Sequence, residues 1–205
     1  MFKYEAEIVE YINEIQENQE YSILLQKKLG SINMSLKNSV QYMTQAFKIE
    51  DDELSKLLLK LSAEGLSNFE LLSKVVKILS GDGKSNNFVE KVVLNENIVA
   101  TGEPCTDLLS DIALEQQNKL IFESICGLVE DPNLQKLICC LVEQADEHSI
   151  LLREAFNRIQ REKAKNEKRT TKQARIYFDV INSETSENSY EEFKQTAPAV
   201  LGGRG

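Results

Sequence analysis

The sequence predicts an all-α protein whose core is an antiparallel four-helix bundle. The main observation is the last periodic segment, residues 134–159, in which apolar and small side chains recur at alternating spacings of four and three. That spacing places them on one stripe of one helix. Three earlier segments carry similar stripes, and the three prolines, at positions 104, 132 and 198, lie outside all of these runs. The stripe of the last helix consists of Leu134, Ile138, Leu141, Ala145, His148, Leu152, Ala155 and Ile159.

The length and the charge of the chain limit the class of protein to which it belongs. A chain of 205 residues suffices for one domain with a sizeable core and an appendage. The net charge of −9 argues against general nucleic-acid binding, because phosphates would be repelled. Residues 161–175 hold seven basic and two acidic side chains, which leaves a net charge of −14 on the rest of the chain. We interpret this basic segment as a solvated helix end, or alternatively as a contact for an acidic partner or another subunit.

The cysteines and the N-terminus indicate the cellular compartment in which the protein is expected. The four cysteines, at positions 105, 126, 139 and 140, lack the CxxC or Cys/His spacing of a metal site. We interpret them as free, mostly buried thiols in a reducing compartment. The N-terminus has no apolar signal segment, and no run approaches membrane-spanning length. These features predict a soluble cytoplasmic protein without a membrane partner.

The first half of the chain is expected to form three helices. Residues 4–29 have the pattern of a charged amphipathic helix, and Gly30 is a natural C-terminal cap for it. A second helix is expected over about 32–47. The third runs from about 51 to 79, with an aspartate to cap its start and a Ser-Gly-Asp-Gly sequence to stop it.

A long connection separates the bundle helices into two pairs. Residues 81–105 are expected to be non-helical, and within them 88–94 and 98–100 are compatible with short extended segments. A helix over about 106–129 follows, and a Glu-Asp-Pro turn leads into the last helix. Two helical pairs with short internal links and a long crossover between them are typical of ferritin-like four-helix bundles.

The chain beyond the bundle is expected to be polar. The last helix continues as a basic extension, and from residue 177 its periodicity is lost. We therefore expect a flexible tail, or one that orders only against a neighbouring subunit. The predicted organisation is an N-terminal helix (1–30), the bundle (31–160), the basic extension (161–176) and the tail (177–205).

The core stripes of the bundle helices are all interrupted at one level by residues that fill a core poorly. Two interruptions are i, i+3 pairs, Gly65 with Asn68 and Ala145 with His148. Ferritin-like proteins with two metal ions carry one Glu on each of two helices and Glu-x-x-His on each of the other two. The interruptions therefore indicate the footprint of a metal site. They are Ser35, Gly65, Asn68, Glu115, Ala145 and His148.

Several short segments between residues 28 and 159 have a characteristic order and spacing. They are Lys-Leu-Gly-Ser at 28–31, Gln-Tyr-Met-Thr-Gln-Ala-Phe at 41–47, Ala-Glu-Gly-Leu-Ser-Asn-Phe-Glu at 63–70, Gly-Glu-Pro at 102–104, Asp-Leu at 107–108, Asp-Ile-Ala-Leu-Glu at 111–115, Glu-His at 147–148 and Arg-Glu-Ala at 153–155. In this order they resemble the manganese catalase family, including its shorter spore-coat members.

The resemblance implies a site of two manganese ions that disproportionate hydrogen peroxide. The family's five ligand positions fall on Ser35, Gly65, Asn68, Glu115 and His148, where the family has Glu, Glu, His, Glu and His. Glu115 and His148 are therefore retained, and the other three ligand positions are degenerate. Neither Ser nor Gly supplies a carboxylate, and an Asn carbonyl is a poor replacement for imidazole on a transition metal. The remaining donors are too few for a tight site, so no cofactor is expected.

In the favoured interpretation of the site, Glu115 and His148 form a buried pair that satisfies its own hydrogen bonds. Lys119, one turn from Glu115, would share the carboxylate. Asn68 would lie near the pair, and Ala145 would lie one turn from the histidine.

Two further interpretations keep a metal. A weak single-metal site could use Glu115, His148 and water. A working two-manganese site would need replacement carboxylates, but each candidate is at least one residue off a core stripe. One residue is about 100° around a helix, so these carboxylates are expected to point away from the site. The candidates are Glu64, Glu70, Glu143 and Glu147.

We therefore predict a catalytically degenerate manganese-catalase-like protein with a structural or assembly role, such as a spore-coat subunit. The resemblance implies a homo-oligomer, a hexamer, and it makes coat or shell proteins candidate partners and the spore coat an alternative location. One alternative function is an active manganese catalase with remodelled ligands, which would require manganese. A second is an adaptor or cargo protein that acts through its C-terminal tail.

Overall fold

The computed structural model of the chain describes residues 6–28, 33–81 and 98–196, and all regular secondary structure within these ranges is helical. The all-α prediction is confirmed. None of the described helices is long and apolar enough to span a membrane. The helices are α1 (Ala6–Glu14), α2 (Gln19–Lys28), α3 (Asn33–Ala46), α4 (Asp52–Leu79), α5 (Pro104–Cys126) and α6 (Pro132–Thr196).

The bounds of α4 are the ones that its capping residues predict. The Asp51 carboxylate accepts a hydrogen bond from the backbone N–H of Leu54 at 2.8 Å, which satisfies one of the free donors at the helix start. At the other end Ser80 caps the helix and Gly81 adopts a φ of 64°. Glycine adopts this left-handed conformation without the steric cost that a side chain would add.

The N-terminal segment forms two helices, so the prediction of one helix over 4–29 was wrong. The break lies between α1 and α2, at residues 15–18. The Asn18 side chain accepts hydrogen bonds from the backbone N–H groups of Glu20 and Tyr21 at 3.0 and 3.1 Å, and thereby caps α2. The backbone N–H of Asn18 bonds to the carbonyl of Leu79 at 3.0 Å. The break is therefore stabilised by a contact with the end of α4, which local periodicity does not report.

The core of the first unit, Met1–Ile159, consists of two apolar clusters. One cluster contains residues of α2, α4, α5 and α6, and the other contains residues of α3, α4, α5 and α6. Burial of one leucine or isoleucine stabilises the fold by roughly 1.5–3 kcal/mol. Fully buried members are Leu25, Leu72 and Ile125 in the first cluster, and Leu58, Leu108 and Leu152 in the second.

The stripe predicted for the last helix lies in this core along its whole length. All eight members, from Leu134 to Ile159, are at most 8% exposed. Its single histidine, His148, is 5% exposed and lies between the parts of α6 that belong to the two clusters. The sequence therefore predicted correctly which face of α6 turns inward.

The stripe predicted for α5 is displaced in part. The spacing of its residues predicts a core stripe of Leu108, Ile112, Glu115, Lys119, Phe122, Cys126 and Val129. Of these, Ile112, Lys119 and Cys126 are half-buried, whereas Asp111 and Asn118, which lie off the stripe, are buried. Glu115 is buried as predicted. Asp111 and Glu115 accept hydrogen bonds from polar side chains of α3, and Asn118 donates to Glu115. An apolar stripe therefore cannot locate the inner face of this helix.

The second unit, Gln160–Gly205, begins within α6. Its described side chains up to Ile176 are exposed, in agreement with a solvated basic extension. The helix continues to Thr196, so the helical structure extends beyond the point near 176 at which we expected a tail. Helix-favouring Glu, Lys and Gln do not need an apolar stripe to form a helix.

Four further predictions concern the long connection between the helical pairs, the end of the N-terminal helix and the C-terminal end of the chain. Residues 98–100 are described and form neither helix nor strand. The cap at Gly30, the extended segment at 88–94 and the last residues, 197–205, lie outside the described residues.

Candidate functional site

A small polar cavity lies within the first unit, between the two apolar clusters along α4, α5 and α6. Its volume is about 20 Å³, enough for roughly one water molecule. The structure brings the predicted interruptions of the core stripes together at this cavity. Its lining includes Ser35, Gly65, Asn68, Glu115, Ala145 and His148.

Glu115 is the most heavily bonded side chain at the cavity. It is 4% exposed. Its Oε1 atom accepts a hydrogen bond from the hydroxyl of Tyr42 at 2.5 Å, and its Oε2 atom accepts one from the amide of Asn118 at 3.1 Å. The Nδ1 atom of His148 lies 3.4 Å from Oε1. The expected pairing of Glu115 with His148 is therefore present, with two neutral donors that the sequence did not identify.

Glu64 reaches the site from α4, although we expected its carboxylate to point away. Its Oε2 atom lies 2.7 Å from Nε2 of His148. The glutamate side chain is long enough to reach around the helix, and the neighbouring Gly65 has no side chain in its path. Of the other off-stripe acids, Glu70 pairs with Lys74 at 2.7 Å, and Glu143 and Glu147 are exposed.

Lys119 and Asn68 do not take the positions that we predicted for them. The Nζ atom of Lys119 forms an ion pair with Oδ1 of Asp146 at 2.7 Å, so its described partner is not Glu115. The amide of Asn68 donates to Oε1 of Gln144 at 2.7 Å. Both partners lie on α6, and the orientation of that helix toward α4 and α5 decides these contacts.

The two carboxylates raise the pKa of His148. Burial alone lowers the pKa of His148, but the hydrogen bonds and negative charges of Glu115 and Glu64 outweigh burial and raise the pKa to about 9. The hydrogen bond from His148 in turn lowers the pKa of Glu64. Burial, followed by the charges of Glu115 and Asp111, raises the pKa of Tyr42 well above its usual value. At neutral pH the site therefore contains an imidazolium between two carboxylates, and a neutral phenol.

This arrangement does not fit a two-manganese centre. Three residues that line the cavity, Ser35, Gly65 and Asn68, supply neither a carboxylate nor an imidazole. The two nitrogens of His148 diverge on the ring, so Glu64 and Glu115 lie on different sides of it. Among the residues that the structure describes, no three His, Cys, Asp or Glu side chains form a group that could hold a metal ion.

Gly65 excludes a side chain at one of the family's ligand positions. A Cβ atom built on Gly65 would overlap the hydroxyl oxygen of Ser39 and would lie 3.2 Å from the backbone carbonyl oxygen of Ser35. Ser39 itself donates to that carbonyl at 2.6 Å. A side chain at position 65 would therefore require the Ser39 hydroxyl to turn away and the backbone of α3 at Ser35 to shift slightly.

A second polar cluster, which the sequence reading missed, lies between α3 and α5. Gln41 and Gln45 donate to Oδ1 of Asp111 at 2.8 and 3.0 Å, and both also bond to the backbone of Val99. Burial, together with the charges of Asp107 and Glu115, raises the pKa of Asp111 to about 7, although the amide hydrogen bonds from Gln41 and Gln45 lower it. The i, i+4 spacing of the two glutamines places them on one helix face and is the signal that could have identified the cluster.

Asn38, which also lines the cavity, was missed as well. It is 3% exposed. Neither its amide nitrogen nor its amide oxygen has a hydrogen-bond partner in the described part of the chain. A buried amide normally bonds to protein or water, so this side chain suits a small polar molecule such as water in the cavity.

The chain is similar to several known proteins. It is 28% identical over 203 residues to a probable manganese catalase of Clostridium acetobutylicum, with 88% of this chain and 90% of that protein covered. It is 24% identical over 160 residues to protein CotJC of Bacillus subtilis, with coverage of 68% and 84%.

Solved structures and a family match complete the comparison. Two crystal structures of KatB, a manganese catalase from Anabaena, superpose with TM-scores of 0.61 and 0.62, 17% identity and coverage of 78% of this chain and 81% of KatB. This likeness confirms the ferritin-like fold. Residues 93–196, just over half of the chain, match the family described as manganese containing catalase. The chain therefore belongs to the manganese catalase family.

Proposed function

We propose that this chain is a non-catalytic member of the manganese catalase family that serves as a structural subunit of a larger protein assembly. The observation that carries the proposal is the position of His148 between Glu64 and Glu115, at 2.7 and 3.4 Å. A protonated histidine supplies the positive charge that bound metal ions would otherwise provide to buried carboxylates. The bundle is then stable without manganese.

The degenerate ligand positions support the same proposal. Ser35 and Gly65 offer no carboxylate, and the space at Gly65 is taken by α3. The amide of Asn68, which also lines the cavity, donates to Gln144. Restoration of a two-metal site would therefore need new side chains at these positions and a different position of the Ser39 hydroxyl.

Assembly as a coat-like homo-oligomer is the most concrete role within this proposal. The resemblance to the shorter spore-coat members of the family and the similarity to protein CotJC over 84% of its length support it. Large apolar side chains on the surface, among them Leu109, Leu120 and Phe47 at 54%, 66% and 77% exposure, are compatible with contacts between subunits. A hexamer is the state that the resemblance implies.

An active manganese catalase with remodelled ligands is the second candidate. Two observations favour it: the 28% identity to a probable manganese catalase, and the approach of Glu64 to His148, which brings a second carboxylate to the ring beside that of Glu115. For metal binding His148 would have to lose its proton and release one of the two carboxylates.

Metal analysis and peroxide turnover test the two candidates. The protein is produced in manganese-supplemented medium and purified without chelators, and manganese per chain and oxygen release from hydrogen peroxide are then measured. The proposal predicts far less than one manganese per chain and no turnover above a His148→Ala control. About two manganese per chain, with turnover that His148→Ala abolishes, would establish the enzyme instead.

A truncation separates the structural role from an adaptor role of the tail. A variant that lacks residues 177–205 is compared with the full chain by light scattering after size-exclusion chromatography. If the bundle mediates assembly, both proteins have the same oligomeric state. A smaller assembly for the truncated chain would instead favour tail-mediated association.

A further inference from the structure

Two thiols lie next to each other where α5 meets α6. The sulfur atoms of Cys126 and Cys139 are 2.7 Å apart. Cys126 is the last residue of α5, and Cys139 lies near the start of α6, thirteen positions later in the sequence. The four cysteines all lie in the described part of the chain, and none of them forms a disulfide there. The separation of this pair is close to the length of a disulfide bond, about 2.05 Å.

The surrounding structure holds the pair in place. Next to Cys126, Phe122 and Ile125 of α5 are buried in the first apolar cluster, and so are Leu137 and Ile138, next to Cys139. The side chain of Gln135 donates to the backbone carbonyls of Cys126 and Val129 at 3.1 and 3.3 Å, which ties the turn between the helices to α6. The two sulfurs therefore lie on helix segments that are anchored in the first apolar cluster.

The pair is also accessible, in contrast to Cys105. Cys126 and Cys139 are both partly exposed, whereas Cys105 is buried in the other apolar cluster. A small oxidant can therefore reach the pair from solvent. Our interpretation of the thiols as mostly buried holds for Cys105, whereas Cys126, Cys139 and Cys140 are half-buried.

We propose that Cys126 and Cys139 are a redox-sensitive pair that hydrogen peroxide converts into a disulfide, which fastens the end of α5 to the first turns of α6. The proposal is independent of the metal site and of the proposed structural role. It requires one accessible thiolate, one neighbouring thiol and one molecule of peroxide.

The chemistry balances in two steps. The Cys126 thiolate attacks one peroxide oxygen, so that an S–O bond forms, the O–O bond breaks, and hydroxide leaves and takes up a proton to become water. Cys139 then attacks the Cys126 sulfur as a thiolate. The S–S bond forms, the S–O bond breaks, and the second hydroxide becomes water with the proton from Cys139. Together the two thiols lose two electrons, and these electrons reduce one hydrogen peroxide to two waters.

The order of the steps follows from the contact between the thiols. The hydrogen bond with Cys126, together with partial burial, raises the pKa of Cys139 to about 11. Cys139 therefore keeps its proton at neutral pH. The proposal accordingly assigns the first attack on peroxide to Cys126 and the second step to Cys139.

The test counts thiols and locates the bond. The reduced full-length protein is exposed to hydrogen peroxide, alkylated and digested with trypsin without reduction. We expect two of the four thiols to disappear, and a disulfide-linked pair of peptides, 120–136 and 137–153, to appear and to be lost after dithiothreitol. Persistence of all four thiols, at a peroxide concentration that oxidises the denatured chain, would overturn the proposal.

Matched variants identify the second cysteine, because 137–153 contains both Cys139 and Cys140. Cys140→Ser is expected to form the linked peptides, and Cys126→Ser and Cys139→Ser are expected to lose them. Circular dichroism establishes that each variant folds, and Cys126→Ala and Cys139→Ala replace a serine variant that does not. A bond that survives Cys139→Ser but not Cys140→Ser, or one that joins two chains, would contradict the assignment.

Discussion

The Nε2 atom of His148 lies 2.7 Å from Oε2 of Glu64, and the other ring nitrogen faces the buried carboxylate of Glu115. One imidazolium thus compensates a half-buried charge on α4 and a fully buried charge on α5. This relationship joins three helices through side chains that lie at or beside metal-ligand positions of the family. It has consequences for stability that can be measured.

Replacement of His148 should destabilise the bundle strongly. His148→Ala leaves the Glu115 carboxylate, 4% exposed, without its cation, and removal of one partner from a buried ion pair typically costs about 3–5 kcal/mol. The free energy of unfolding from urea denaturation measures the loss. Lys119→Ala is the control, because Lys119 pairs with Asp146 on the surface and should have no measurable effect. Equal stability of His148→Ala and the parent would refute the role of the imidazolium.

The stability of the parent should fall in alkaline solution because of His148. Its pKa is raised from 6.5 to about 9 in the folded state. The stabilisation is therefore fully present below pH 6.5 and is lost as the pH rises through 9, with a total on the order of 3 kcal/mol. Unfolding free energies between pH 6 and 10 are compared for the parent and His148→Gln, which has no titrating ring. Parallel curves for the two proteins would show that His148 is not protonated in the fold.

Asp111 should make the free energy of unfolding depend on pH over a lower range than His148 does. Its pKa is raised from 3.8 to about 7, so the folded state favours the protonated carboxyl. The stabilisation is present below pH 3.8 and is lost as the pH rises through 7, an effect of roughly 4 kcal/mol. The stability of Asp111→Asn relative to the parent should therefore increase from pH 4 to pH 8 in urea titrations. The His148→Gln variant should still lose stability over this pH range, because Asp111 is unchanged in it. If the difference in unfolding free energy between Asp111→Asn and the parent were the same at every pH, Asp111 would not contribute to the pH dependence.

Gly65→Ala should destabilise the contact between α3 and α4. The new methyl group would overlap the Ser39 hydroxyl, and overpacking of this kind costs roughly 1–3 kcal/mol, more than the helix propensity that alanine adds. Ser39→Ala removes the hydroxyl, so the double variant should recover part of the loss. Denaturation of the parent, both single variants and the double variant forms a complete cycle. Additive effects would mean that the two positions are not in contact.

Much of the architecture was predictable, because the buried face and the ends of a helix are reflected in the residue pattern of that helix alone. The stripe of α6 predicted a buried face that includes His148, and all of its members are buried. The caps of α4 predicted its ends, since the Asp51 side chain bonds to a neighbour three residues away. Five spaced positions, including Glu115, identified the level of the site, and all five line one cavity.

The contacts within the site were not predictable in the same way. We expected Glu64 to point away and Lys119 to share the Glu115 carboxylate, and both expectations were wrong. The bonds from Gln41 and Gln45 to Asp111 were missed. Each of these contacts joins residues far apart in sequence, and each depends on how two helices are rotated relative to one another.

The sequence by itself determined the helical class, the family, the inward face of α6 and the absence of a carboxylate at Ser35 and Gly65. These properties follow from residue type and from spacing along one helix, both of which are local. Only the tertiary structure decided that His148 lies between two carboxylates and that Cys126 meets Cys139. A side chain that reaches a few ångströms selects its partner from whichever groups the neighbouring helix presents, and the packing of the whole bundle sets that choice.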